Sequence, residues 1–193
     1  MFLFIVGLVL FLGVHSVSIV APRWRMQQVA LRGERAWKGV YSVVSLIGLV
    51  LLVYGYGQAR QTGGILYVPP VALRHFALLL MVPVFPLLFA ASLHGRISRA
   101  TKHPMLLAVK IWATAHLLAN GSVADVILFV AFLAWAVVDR ISLKRRPAAL
   151  AHEPPALPTR PMNDVIAIVG GLVVYAAFLL GLHRWLIGVS PFG

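Results

Sequence analysis

The sequence predicts an all-α fold: a polytopic membrane helix bundle of about six transmembrane helices, with the N and C termini outside. Three observations predict it. Apolar residues make up 61% of the 193 and charged residues 11%, with a mean hydropathy of +0.91; a soluble domain is nearer half apolar and a quarter charged. Apolar runs approaching the ~20 residues that cross a bilayer recur along the whole chain. The basic residues fall between those runs, as in multi-pass proteins. This composition excludes a water-soluble enzyme and a disordered chain. The absence of cysteine excludes disulfides, thiolate nucleophiles and Cys-ligated clusters. The net charge of +12 does not indicate nucleic-acid binding, because the cations are not gathered on one soluble face.

The spans are read at 1–21, 38–57, 71–93, 104–119, 123–141 and 164–189, within a single transmembrane domain, 1–193. The first lacks a basic residue ahead of its apolar run and is followed by Arg23 and Arg25, so it reads as a retained anchor rather than a cleaved signal. Span three holds Pro83 and Pro86, which predict a kink. His103-Pro104 reads as a helix start, since proline suits the first helical position. Asn120-Gly121-Ser122 is a short turn; Ser122 with Asp125 reads as a capping box opening span five, and spans four and five are expected as an antiparallel hairpin. Five prolines between 147 and 161 make that stretch an extended linker. Asn163 or Asp164 is expected to cap span six.

Orientation follows from charge. Thirteen of the 17 Lys and Arg residues lie on the loops after spans one, three and five; Arg60, Arg74 and Arg184 lie on the other side, and Lys110 within span four. The excess places the odd-numbered loops in the cytoplasm.

Polar residues inside the spans are the candidates for function, because an ionisable group at mid-membrane costs roughly 2.5–3.5 kcal/mol on insertion scales. Six of the seven histidines lie in or at the ends of spans: His15, His75, His94, His103, His116 and His183. Neutral imidazole is the commonest metal ligand, and helix bundles build cofactor sites from facing side chains. Trp112, His116 and Asn120 share one face of span four; His103, Lys110 and Thr114 form a second stripe. A backbone or side-chain hydrogen bond is the plain alternative for each histidine. Asp and Glu total five, too few for paired-carboxylate hydrolysis to be expected, and no Walker loop or H-E-x-x-H is present.

The order of these residues resembles the NnrU family of membrane proteins. The likeness rests on His15-Ser16, Pro22-Arg23-Trp24-Arg25, Gly33-Glu34-Arg35 and Tyr41. It is strongest in Thr101-Lys102-His103-Pro104, Trp112 and Ala115-His116-Leu117-Leu118-Ala119-Asn120-Gly121, and continues through Asp139-Arg140 to His183 and Gly188-Val189-Ser190-Pro191. The resemblance implies a multi-pass protein of the bacterial inner (cytoplasmic) membrane, linked to denitrification and nitric oxide metabolism. That family is similar to the plant 15-cis-zeta-carotene isomerase, a haem b enzyme, and the likeness implies His15 and His116 as iron ligands. The isomerase's proposed exchanging cysteine falls at Ala113 here, so that ligand switch cannot operate. The His-Pro motif also resembles isoprenylcysteine-type methyltransferases, but Glu153 is the one acid between Arg140 and Arg160.

The leading expectation is therefore haem b held by His15 and His116, with Trp112 beside the macrocycle and Arg23, Arg25 or Lys110 neutralising propionates. Depth along the helices differs by about 10 Å between the two histidines, which tilt has to absorb; His103 and His183 are substitute ligands. Two alternatives stand: an assembly or regulatory factor contacting nitric oxide reductase components, and an isomerase or transferase acting on a lipophilic substrate near Lys110 and His103.

Overall fold

The computed structural model describes residues 1–146 and 160–192. Most of the proline-rich stretch 147–161, with His152, lies outside the described residues. Five helical segments are long and apolar enough to cross a membrane: Phe2–Val20, Glu34–Thr62, Val71–Ser92, Val123–Arg145 and Pro161–Ile187. The apolar helix Pro104–Ala119 is shorter. The only pairing of strand type among the described residues is one isolated bridge, Ile65 with Ser122. The fold is a helical membrane bundle. Large apolar side chains stand exposed along every long segment, Leu180 at 85% among them, an arrangement that lipid solvates and water does not.

The described residues divide into two compact units, 1–67 with 122–146 and 68–121 with 160–192. The first unit contains α1 (Phe2–Val20), α2 (Pro22–Arg32), α3 (Glu34–Thr62) and α8 (Val123–Arg145). Helix α2 corrects the expectation of a loop after span one. Pro22 opens it at its first turn, and Gly33, at φ +83°, ends it in a conformation costly for a residue with a Cβ. Helices α1 and α3 pack backbone to backbone. A Cβ on Gly7 would collide with the backbone of Leu51 and Leu52, and one on Gly55 with that of Leu3 and Phe4. Small residues permit this approach in lipid, where packing rather than water exclusion drives helix association.

At the end of this unit remote from the basic loops, the expected capping box is present. Ser122 Oγ accepts from Asp125 N at 3.1 Å, and Asp125 Oδ2 accepts from Ser122 N at 3.2 Å. Asp125 is buried and also accepts from the Tyr56 hydroxyl, with Arg60 3.8 Å away. One carboxylate thus caps α8 and ties it to α3. Val123 N donates to Gly64 O at 2.9 Å and fixes the chain leaving α3.

The second unit contains α4 (Val71–Met81), α5 (Val84–Ser92), α6 (Arg96–Thr101), α7 (Pro104–Ala119), α9 (Pro161–Ala177), a π-helical turn (Phe178–Leu182) and α10 (His183–Ile187). The kink expected in span three falls between α4 and α5. Val82 N bonds Leu79 O rather than the carbonyl of Leu78, and Tyr175 of α9 donates its hydroxyl to Leu78 O at 2.6 Å. The carbonyl freed by the break is satisfied from a neighbouring helix, as an apolar surrounding requires. Gly171 meets Pro86 with no room for a Cβ. Asp164 corrects an expectation: it accepts from Arg96 N at 2.9 Å and Ile97 N at 3.0 Å, so it caps α6 rather than its own helix. Asn163 donates to the His94 carbonyl at 3.0 Å. Helix α7 buries itself against α4 and α5, and α8 against α1 and α3, so each finds these partners within its own unit.

Candidate functional site

The first unit carries a cleft of about 420 Å³ at its basic end, lined in part by Val14, His15, Ser18, Arg25, Lys38, Tyr41 and Arg146. Its geometry starts with α1. His15 lies one turn beyond Phe11, and its Nδ1 is 2.6 Å from the Phe11 carbonyl. A carbonyl can only accept, so Nδ1 carries a proton, and in the neutral ring Nε2 is the nitrogen that keeps its lone pair. That tautomer is the one a metal-binding imidazole uses when a backbone oxygen orients it.

Aromatic rings surround the imidazole. Phe11 lies 4.3 Å away between centroids, Tyr41 5.2 Å away, and Trp135 6.0 Å away and nearly perpendicular at 88°. The Trp135 indole Nε1 is buried with no hydrogen-bond partner among the described residues. Such an orphan is uncommon, since most buried donors are satisfied by protein or water. It leaves an unspent donor on a ring that packs against His15.

Three cations line the same cleft from three elements. Arg25 comes from α2 and Lys38 from the first turns of α3. Arg146 follows α8, and its Nη2 donates to the Ser18 carbonyl at 2.8 Å. Ser18 lies in the last turn of α1, where carbonyls lack helical partners, so Arg146 also caps that helix. Lys38 is paired with Glu34 at 2.8 Å. Arg23 is exposed and does not line the cleft; of the arginines expected to meet an acidic group, Arg25 is the one placed there.

His116 belongs to the second unit and is prepared in the same way. Its Nδ1 is 2.9 Å from the Trp112 carbonyl, and the two rings are 5.2 Å apart. Asn120 donates to the His116 carbonyl at 3.0 Å, so the stripe read along span four is linked through the backbone. Trp112 packs against Val84, Leu87 and Ala108. Lys110 and Thr114 line a smaller cleft of about 170 Å³ with Leu80 and Ile111. His103 is the residue before Pro104 that opens α7. His183 Nδ1 meets Val189 O at 2.7 Å, which ties down the turn after α10. His75 and His94 are exposed. No group of three or more His, Asp or Glu is placed to hold a metal ion among the described residues.

The NnrU protein family matches residues 3–191, nearly the whole chain. The chain belongs to the NnrU family. No curated protein and no solved structure gives a match. Of the residues that sequence reasoning named in this NnrU protein, His15 and Arg25 line the larger cleft and His116 lies in the second unit. That reasoning missed Arg146, counted only among the basic residues of the odd-numbered loops, and the packing of Tyr41 and Trp135 around His15. Tyr41 stands in the family pattern, but the ring contacts join residues far apart in the chain and leave no local signal.

Proposed function

We propose that this NnrU protein binds haem b, which His15 would hold through its imidazole, as a multi-pass protein of the bacterial inner membrane serving nitric oxide metabolism in denitrification. The observation that carries the reading is the His15 imidazole itself: Nδ1 committed to Phe11, Nε2 available, aromatic rings around it, and a cleft with cations beside it. The residues fit the group. Neutral imidazole is a common axial donor to haem iron, and Arg25, Lys38 and Arg146 match its acidic side chains in charge.

A bound haem would supply an iron centre able to take a small diatomic ligand or an electron. The chain's own contribution is positional. The Phe11 carbonyl holds the imidazole in one tautomer, and the Tyr41 and Trp135 rings pack against it and restrict its rotation. His116, in the second unit, is a second candidate ligand oriented by the same bond to a carbonyl one turn back.

The test is an absorption spectrum of protein purified in detergent from haem-replete cells. A Soret band is expected, lost or shifted in His15→Ala; a shift in His116→Ala would add that residue as a ligand. No Soret band, or one unchanged in His15→Ala, contradicts the reading.

A further inference from the structure

The cleft's charge carries a second, more specific reading. Arg25 and Arg146 are half-buried in the cleft at the basic end of the first unit. Among the described residues neither forms an ion pair with Asp or Glu; the recorded pairs are Lys38 with Glu34 and Arg60 with Asp125. Asp139 acts electrostatically on Tyr41, as Arg25 does from the opposite sign. Three cations against Glu34 and Asp139 still leave the neighbourhood positive. Other basic residues of this unit, such as Arg23 and Lys144, are exposed, whereas these two turn into the cleft.

Arg146 spends one donor on the Ser18 carbonyl and has four others, in a planar fork suited to a carboxylate or phosphate. Arg25 reaches the same space from a different helix. Val14, Val17 and the Tyr41 ring add apolar lining to the same cleft. A cleft lined by both guanidinium and apolar groups matches a ligand with the same division.

We propose that Arg25 and Arg146 form an anion seat for the acidic oxygens of an amphiphile, whose apolar body lies along Val14, Val17 and Tyr41. Two ligands share that chemistry: the propionates of a porphyrin and the phosphate of an anionic phospholipid. In the first case the inference rests on the haem reading and deepens it; in the second it stands without haem.

The experiment uses the full chain in detergent and compares two ligand pairs. Haemin is titrated against haemin dimethyl ester, which keeps the ring and loses both acids. Phosphatidylglycerol is compared with phosphatidylcholine by retained lipid in native mass spectra. Charge-assisted hydrogen bonds predict a preference of roughly ten- to a hundredfold for the acidic member, reduced in Arg25→Gln and Arg146→Gln. Arg146→Lys keeps the charge but loses the fork, so an intermediate preference separates anion binding from loss of the Ser18 cap. Arg25→Gln touches no backbone cap and covers the case in which Arg146→Gln does not fold.

Preference for haemin over its ester assigns the seat to propionates. Preference for phosphatidylglycerol alone assigns it to a lipid phosphate, and if haemin does not bind at all, the haem reading fails while the seat stands. Equal binding within both pairs, or preferences unchanged in both glutamine variants, overturns the proposal.

Discussion

Alanine at Gly48 or Gly55 should loosen the first unit, whereas alanine at Gly57 in the same helix should not. The difference can be worked from the contact geometry. A Cβ on Gly48 would stand 2.8 Å from Phe11 N and 3.0 Å from its Cα, against 3.4 Å for the near limit of ordinary contact. The obstacle is backbone, so no rotamer change relieves it. Helices α1 and α3 must part by at least about 0.6 Å there, and a gap of about 0.5–1 Å forfeits a quarter to a half of the dispersion attraction at each contact. Overpacking of this kind costs roughly 1–3 kcal/mol; Gly55, whose Cβ would meet Phe4 more closely still, belongs at the upper end. Gly57 has nothing within 4 Å of its Cβ position, and alanine there gains up to about 1 kcal/mol of helix propensity. The two substitutions should therefore move stability in opposite directions. Thermal unfolding in a fixed detergent, followed by circular dichroism, reads this directly. Gly55→Ala as stable as Gly57→Ala would refute close backbone packing of α1 on α3.

Other consequences concern the polar ties. Asp125→Ala should cost roughly 1–3 kcal/mol in the same unfolding assay, because it leaves the part-buried Tyr56 hydroxyl without its acceptor and removes the cap of α8; Asp125→Asn should cost less, and a wild-type melting temperature for Asp125→Ala would count against the cluster. Tyr175→Phe should cost about 1 kcal/mol by stripping Leu78 O of its donor, with no loss expected if the kink carbonyl had another partner. Asp164→Ala should speed hydrogen exchange at Arg96 and Ile97, the two amides it accepts from; unchanged exchange there would remove its assignment as the cap of α6.

The transmembrane segments were legible because the bilayer imposes a length and a composition on each, and Pro83, Pro104 and the Ser122–Asp125 pair mark their ends by local chemistry. Helix α2 was hidden because it is polar for its length; the available signals were Pro22 at its start and Gly33 at its end. Asp164 was misassigned because its partners are 67 and 68 residues away, and a cap supplied from another helix has no sequence spacing. The site divides in the same way. An intramembrane histidine announces itself, and the bond from His15 to Phe11 is local. Arg146 meets Ser18 across 128 residues, so its place in the cleft emerges only from the packing of α8 on α1.

The most direct test of the account is chemical rescue at His15. In His15→Gly the ring is replaced by space that free imidazole can enter, while Phe11, Tyr41 and Trp135 stay in place. The account predicts that this variant, purified from haem-replete cells, lacks the wild-type resonance Raman iron–imidazole signature and regains it when millimolar-range imidazole, a weak-ligand concentration, is added. A wild-type signature in the variant before imidazole is added would contradict His15 as the iron's ligand.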